Sequence, residues 1–261
     1  MTTFGRVTEI QIGSRVIASP PLTIEFDIPF DDGSDGNVAS VKLYNLGPDS
    51  LAVCETGQPI AVRSGYQNDI GLVTFGVIAE AVTQLEAADR VTTLTIGDGT
   101  DKWLTRYVNR SWSPGTKASQ IVNDLVAVLG LDVGEIRLPE DVVYPNGRTL
   151  STAIKTALEE IAKDTGAKLH VTNGAVYMVP PQQAQHEVIV LNARTGLLDR
   201  PYRDSTYEDA YRIKTLLQHR ITTDSVVEIE SEAVSGRFRV AEGRHVSDSG
   251  EHITECVVVP L

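Results

Sequence analysis

The sequence predicts a mainly β protein, in which two small antiparallel β-barrels are separated by an α+β insert of two helices and one hairpin. Short apolar runs bounded by turn residues recur through residues 1–105 and again through 181–261, which is typical of small β domains. Only residues 106–180 contain apolar positions at helical spacing. We therefore expect three domains with these boundaries: a first barrel, the insert and a second barrel.

The first flank begins with a predicted hairpin. Val7–Ile12 and Arg15–Ala18 are apolar runs separated by Gly13-Ser14. The clearest strand follows at Leu22–Phe30, where apolar and polar residues alternate strictly, so one face is predicted to be buried. Pro29 has no backbone N–H to donate and therefore indicates an edge strand or the end of a strand. Further strands are predicted at Val38–Tyr44, Pro59–Ser64, Leu72–Val82 and Val91–Gly97.

Two loops of this flank have compositions found in ligand-binding loops. Asp31–Gly36 resembles a calcium loop, but Gly33 occupies the third ligand position and Lys42 the twelfth, where a bidentate carboxylate is needed. Gly97-Asp98-Gly99 follows a strand, but the third glycine and the helix start of a dinucleotide-binding loop are missing. Both loops are predicted to be turns.

The insert is centred on Ser113–Val179, where two apolar stripes, each about three turns long, predict two helices. The first stripe is formed by Ile121, Val122, Leu125, Val128 and Leu129, and the second by Leu150, Ile154, Leu158, Ile161 and Ala162. Thr116 with Ser119 offers the first helix an N-cap. Gly130 and Gly166 offer left-handed positions at which the two helices end.

A two-residue hairpin is predicted at the end of the insert. Asn173-Gly174 tolerates the positive φ values of a type I′ turn, so the runs on either side should pair. The expected partners are Leu169 and Val171 facing Val176 and Met178, with His170 and Tyr177 pairing on the opposite face.

The second flank has five predicted strands. They are Val188–Leu191, Ala210–Leu217, Val226–Ser231, Gly236–Ala241 and His252–Val259. In the fourth, Phe238 and Val240 alternate with arginines, so this apolar pair is predicted to be buried. In the last, Glu255 falls in phase with Ile253 and Val257, which leaves the buried face of that strand open.

The charge distribution separates the flanks from the insert. The chain carries 23 basic and 35 acidic residues, a formal net charge of −12. Residues 1–103 hold 6 basic and 14 acidic residues, 104–180 hold 8 and 8, and 181–261 hold 9 and 13. Acidic flanks disfavour tight nucleic-acid binding, which needs lysine and arginine at the phosphates, but they are compatible with DNA that slides past. Ordinary acidic solubility explains the same numbers.

No constellation of catalytic or metal-binding residues is found. The five histidines, His170, His186, His219, His245 and His252, have no second ligand at metal-binding spacing. Two cysteines, Cys54 and Cys256, are too few for a disulfide framework and are expected to be buried apolar side chains. No apolar run approaches the roughly 18 residues of a membrane span, and no signal peptide opens the chain. We expect no enzyme activity, cofactor or membrane partner.

Two groups of residues resemble a known family. In the first flank, the order is Tyr44-Asn45-Leu46, Gly57, Gly65-Tyr66 and Phe75-Gly76, and in the second it is Thr195-Gly196-Leu197 followed by Pro201. With Gly147-Arg148-Thr149-Leu150 in the insert, they resemble the baseplate hub proteins of bacteriophage tails, the late control protein D group. The resemblance spans nearly the whole chain, so these flank residues are candidates for the family motif and its interfaces.

The resemblance implies a homotrimer in which two similar barrels per chain form a pseudo-hexameric ring. Such a ring joins a six-fold tail tube, or a distal tail protein, to a three-fold central spike or tail-tip protein. DNA passes through its channel without specific binding. The implied location is the tail tip of the virion, after assembly in the host cytoplasm. Contractile injection machines use similar hubs, so a phage, a tailocin and a secretion apparatus all fit.

Two other functions stay open from the sequence. The small α/β insert is similar to LysM-like modules, which bind cell-wall glycans, and it offers Trp112, Tyr144 and Tyr177 as aromatic contacts. A barrel hydrolase is the second alternative, and it rests only on carboxylates that could meet in a barrel mouth. With 35 acidic residues in the chain, chance proximity of two carboxylates is expected.

Overall fold

A computed structural model describes residues 5–31, 37–97, 106–130, 132–172, 175–180 and 188–261. The chain divides into two compact units. The β unit takes in residues 1–31, 38–97 and 184–261, and the insert unit takes in 32–37 and 98–183. Residues 32–36 and 98–99 lie outside the described residues, so the two turns predicted there stay predictions.

The elements follow in chain order. The first flank contains β1 (Arg6–Ile12), β2 (Arg15–Ser19), β3 (Ile24–Phe30), β4 (Val38–Tyr44), α1 (Pro48–Leu51), β5 (Pro59–Tyr66), β6 (Asp69–Glu86) and β7 (Asp89–Gly97). The insert contains β8 (Tyr107–Trp112), β9 (Thr116–Lys117), α2 (Ala118–Leu129), β10 (Asp132–Ile136), β11 (Val143–Tyr144), β12 (Arg148–Ala153), α3 (Ile154–Thr165), β13 (Lys168–Thr172) and β14 (Ala175–Val179). The second flank contains β15 (Val188–Leu191), β16 (Tyr202–Arg203), β17 (Tyr211–Leu216), β18 (Val226–Glu230), β19 (Ser235–Ser247) and β20 (His252–Pro260).

The strands of both flanks join in one 13-stranded sheet. Its order is β16-β17-β20-β19-β3-β4-β7-β6-β5-β1-β2, with β18 on β19 and β15 on β18. All pairs in this sheet are antiparallel except β15 with β18, which run parallel. The mainly β fold class is confirmed, and hydrogen bonding links the two flanks that the sequence presented as separate.

The link between the flanks is the pairing of β3 with β19. Phe26 lies opposite Ser247, and Phe30 lies opposite Gly243. On its other side β3 pairs with β4 only from Ile24 to Asp27. Pro29 lies beyond this pairing, so β4 needs no backbone N–H from it. Pro29 therefore marks the end of a strand, and the alternative of an edge strand is wrong because β3 has neighbours on both sides.

Each half of the sheet has its own apolar core. The first core contains Ile10, Ile12, Ile24, Phe26, Ile28, Val41, Leu43, Ile60, Val62, Leu94 and Ile96. The second contains Leu191, Ile213, Ile221, Val227, Ile229, Phe238, Val240, Cys256 and Val258. Each core also contains one residue from the other half of the sheet. Phe30 of β3 packs in the second core, and Leu217 packs in the first.

The structure shows which faces of the last strand, β20, are buried. Ile253, Cys256 and Val257 of β20 are all buried, so both faces of this strand are covered. Glu255 is tolerated there because Arg244 donates hydrogen bonds to its carboxylate, with Nε at 3.0 Å and Nη2 at 2.9 Å.

The insert unit closes its own core around α2 and α3. Both apolar stripes are buried, and both helices end at a glycine with positive φ, Gly130 at 70° and Gly166 at 67°. Two details differ from the prediction. Leu150 lies in β12 and not in the second helix. The N-cap of α2 is Lys117, whose backbone N–H donates to Gln120 at 3.1 Å, whereas the Thr116 hydroxyl donates to the carbonyl of Ser113.

The predicted hairpin of the insert is β13 with β14. Its register pairs Leu169 with Met178, His170 with Tyr177 and Val171 with Val176, as the alternating pattern predicted. Asn173-Gly174 lies outside the described residues. The other strands of the insert, β8 to β12, were not predicted. β8 ends at Trp112 and pairs with β12, so the insert unit begins before Ser113, in agreement with the expected boundary near residue 106.

We expect Leu158→Ala to lower the unfolding free energy of the insert unit by about 2 to 4 kcal/mol, because Leu158 is fully buried between the helices and the hairpin. Trp112 lies in the core of this unit, so its fluorescence in a Trp103→Phe background reports the unfolding of the unit in a urea titration. Val143→Ala is the matched control, with an expected loss below about 0.5 kcal/mol because Val143 is half exposed. Equal losses for the two variants would mean that the stripe is not a core.

Candidate assembly surfaces

Tyr44, Asn45 and Leu46 form the turn that ends β4. Leu46 is buried in the first core. The Tyr44 hydroxyl donates to Glu25 at 2.9 Å, and burial together with this carboxylate raises the pKa of Tyr44 to about 12. Asn45 has a φ of 54°, and its side chain accepts from the N–H of Arg90 and donates to a neighbouring carboxylate. These contacts stabilise the turn.

Three motif glycines have backbone roles. Gly57 has a φ of 89° in an open turn, which disfavours other residues. A Cβ on Gly65 would lie 2.1 Å from the carbonyl oxygen of Asp69, and a Cβ on Gly76 would lie 2.5 Å from that of Gly97. The second and third glycines are therefore required because another strand passes close to them.

Gly65 and Tyr66 lie where the β5–β6 turn meets the second half of the sheet. The Tyr66 ring packs edge-to-face on His252 at 5.3 Å, and His252 Nε2 donates to the carbonyl of Gly65 at 3.1 Å. Arg220 of the second half binds Asp69 with both terminal nitrogens, at 3.0 and 2.6 Å. This bidentate pair and the buried ring contact fix the turn on the second half.

Two buried histidines stabilise the same junction as neutral rings. His252 Nδ1 lies 2.9 Å from the Ser247 hydroxyl, and His245 Nδ1 lies 2.8 Å from the Thr254 hydroxyl. Loss of solvation lowers the pKa of His252 to about 4 and that of His245 to about 3. At neutral pH neither ring carries charge, so neither is a ligand for an acidic partner.

The motif residues of the second flank form a tight loop after β15. Asn192 Oδ1 accepts from the N–H groups of Arg194 and Thr195, at 2.9 and 3.0 Å. The Thr195 hydroxyl donates to the carbonyl of Val190 at 2.7 Å. Gly196 has a φ of 112°, and Leu197 bridges to Thr215 of β17. Pro201 is buried beyond this loop.

A groove of about 750 Å³ is the place where motif residues of both flanks meet. Tyr66 lines one wall, and Thr195, Gly196 and Leu197 line the other. The free side of β15 completes the lining with Val188 and Val190. The sequence predicted these residues separately; their meeting depends on contacts between distant parts of the chain.

A second surface contains the candidate residue Phe75 and two valines that the sequence prediction did not name. Phe75 and Val77 point outward from β6, and Val38 points outward at the same level of the sheet, since Val38 and Val77 both lie opposite Gly97. All three are more than a third exposed. The sequence contains a signal for this surface. The run Val73–Ile78 is apolar on both faces, and a strand of this kind is typical of a sheet that is covered on both sides.

The described residues offer little for catalysis or metal binding. No group of three histidine, cysteine, aspartate or glutamate side chains within them is arranged to hold a metal ion. Cys54 and Cys256 are buried and unpaired, as predicted, and burial raises the pKa of both thiols. Within the same residues, no helix is long and apolar enough to cross a membrane.

Comparisons with known proteins identify the fold. No family model and no curated protein matches the sequence. The tail protein of prophage MuSo2 from Shewanella oneidensis superposes with a TM-score of 0.72 at 10% identity, covering 98% of this chain and 98% of that one. The chain has the fold of a phage tail protein.

Two further structures share this tail-protein fold. A tail protein from Neisseria meningitidis MC58 matches with a TM-score of 0.68 at 11% identity, over 98% of this chain and 96% of that one. An E. coli component of the type VI secretion system, described as similar to the T4 tail proteins gp27 and gp5, matches with a TM-score of 0.65 at 8% identity, over 97% and 76% of the two chains. The predicted hub fold is therefore confirmed.

Proposed function

We propose that the chain is a structural component of a tail tip or baseplate hub, where three copies form a pseudo-hexameric ring between a six-fold tube and a three-fold spike. The observation that carries this proposal is the tail-protein fold over 98% of the chain. The internal organisation supports it, because one sheet with two cores gives each chain two halves, and three chains then give six.

The proposed partners are a tail tube or distal tail protein on one side and a spike or tail-tip protein on the other. The net charge of −12 supports a channel wall that does not hold DNA. The glycan-binding alternative is not favoured, because the matched tail proteins account for the insert as well as for the flanks. A structural role also agrees with the motif residues, most of which stabilise turns of the backbone.

Negative-stain imaging of the purified chain tests the proposal. We expect annular particles with a central channel and six lobes of density that alternate in two shapes, since the two halves of one chain are not identical. Small particles without a channel, in the presence and absence of purified tube protein, would contradict it.

We also expect no hydrolysis of peptidoglycan by the purified chain, because the sequence carries no nucleophile motif and the described residues hold no metal-binding group. A zymogram measures this, with an active lysozyme as the positive control. Turnover that disappears when one carboxylate is replaced would overturn the structural role.

A further inference from the structure

Strand β6 continues well beyond its neighbour β5. Their pairing ends with Pro59 opposite Val77, and the backbone of Ile78 bonds to Gly57 and Gln58, at 2.8 and 3.0 Å. From Ala79 to Glu86, β6 pairs with β7 alone among the described strands. We call residues 79–86 the arm. Its outer edge presents backbone donors and acceptors that no described strand uses.

The arm is held in place although it is exposed. Asn45 binds the chain just after it, at Asp89 and Arg90, and the Thr83 hydroxyl lies 3.0 Å from that of Thr92. Leu85 is nonetheless 76% exposed. The arm contains no proline and no lysine, the residues that usually protect a free strand edge from pairing. An ordered, unprotected and apolar edge is a surface that pairs with another strand.

The groove described above has the complementary properties. Of the described strands only β18 pairs with β15, and Val188, Ile189 and Val190 of β15 line the groove. The Thr195 hydroxyl already binds the carbonyl of Val190, so a further strand would pair around Val188. Val188, Val190 and Leu198 supply exposed apolar side chains there, at 37%, 39% and 47%. Arg194 at the rim forms no ion pair among the described residues. The groove therefore offers a strand edge, an apolar lining and a positive charge.

We propose that the arm of one chain lies in the groove of the next chain and extends its sheet by pairing β6 with β15. Leu85 then enters the apolar lining, and Glu86 beside it approaches Arg194. The contact is heterologous, because it joins two different surfaces, the arm of one chain and the groove of the next, and its repetition closes a ring. This inference rests on the proposed trimer and adds the surfaces that hold it together.

The occupant of the groove is a second copy of this chain and not an unrelated peptide, because the two complementary surfaces belong to one sequence. The arm carries two acidic residues and no basic one. At the groove rim, Arg194 forms no ion pair with any residue that the structure describes. Two arms could not pair with each other as well, because their like charges would repel.

Two variants test the contact, each disabling one surface. Leu85→Asp alters the arm and Val190→Asp alters the groove, and each is expected to convert the trimer to a monomer in light scattering. Val16→Asp is the matched control on β2, another edge strand, where Val16 is 55% exposed, and it should stay trimeric. Circular dichroism and thermal melting establish that each variant is folded. If Val190→Asp unfolds, Arg194→Glu replaces it, since its side chain is solvent-exposed.

Mixing the two variants distinguishes this contact from others. The arm of Val190→Asp is intact and so is the groove of Leu85→Asp, so an equimolar mixture should form a one-to-one dimer and nothing larger. A mixture that stays monomeric, or either variant remaining trimeric alone, would overturn the proposed contact. If the wild-type chain is itself a monomer, the proposed trimer fails and the contact with it. If the wild-type chain is a trimer and both variants also remain trimers, only the proposed contact is rejected, and the proposed trimer stands.

Discussion

Lowering the pH from 8 to 5 is expected to destabilise the β unit by roughly 4 kcal/mol, through its two buried histidines. The unfolded chain binds a proton at each of them near pH 6.5, whereas the folded chain keeps His252 neutral down to about pH 4 and His245 down to about pH 3. Between these values the unfolded state binds more protons, so stability is full above pH 6.5 and is lost as the pH falls. Each histidine contributes about 2 kcal/mol of the loss at pH 5.

Urea unfolding followed by circular dichroism at several pH values measures this effect. Burial also lowers the pKa of His219, so this residue adds to the loss in the same direction. The variant His252→Gln should be less stable at pH 8 but should show a smaller pH slope, because one titrating group is gone. Ser64→Ala, which removes a buried hydroxyl of the β unit and no titrating group, is the control and should leave the slope unchanged. Equal unfolding free energies at pH 8 and pH 5 would contradict the conclusion that His245 and His252 stay neutral in the folded chain.

The second large effect is expected for Gly65→Ala, which should lower the stability of the β unit by about 3 to 5 kcal/mol. Gly65 has a φ of 154°, and the added Cβ would lie 2.1 Å from a backbone carbonyl that cannot move away without opening the β5–β6 turn. Opening this turn also displaces Tyr66 from His252.

Gly57→Ala is the matched control for that substitution. Gly57 also has positive φ, but no atom lies within 4 Å of its added Cβ, so only backbone strain of about 1 kcal/mol is expected. Chemical denaturation of the two variants gives the difference directly. Similar losses of unfolding free energy in both variants would show that the backbone around Gly65 adjusts to the added Cβ at little cost.

The elements that the sequence predicted well are those whose signal is local. Alternation in β3 and helical spacing around Ile121 and Leu158 identified buried faces correctly, because period and burial are coupled within a few residues. The end of β6 was less clear. The prediction ended at Val82, but the strand runs to Glu86, because the turn that follows is made by Ala87, with a φ of 54° and without a turn-forming residue.

The features that sequence patterns could not supply depend on contacts between distant residues. Nothing in Phe26 or Ser247 signals that their strands pair across more than 200 residues of chain and join the two flanks. The groove likewise needs Tyr66 and Thr195 side by side. Most of the residues that carry the family resemblance stabilise turns or close approaches of the backbone. A residue with positive φ, such as Asn45, is selected by backbone geometry, which a motif does not distinguish from a contact.

The mass of the purified chain in solution tests the central proposal most directly. Light scattering coupled to size exclusion at micromolar concentration is expected to give about 85 kDa, three times the 28.3 kDa chain. The value should be maintained on dilution, as expected for a ring held by extended contacts. A stable mass of 28.3 kDa, unchanged by adding tube protein, would contradict a hub that forms its own ring.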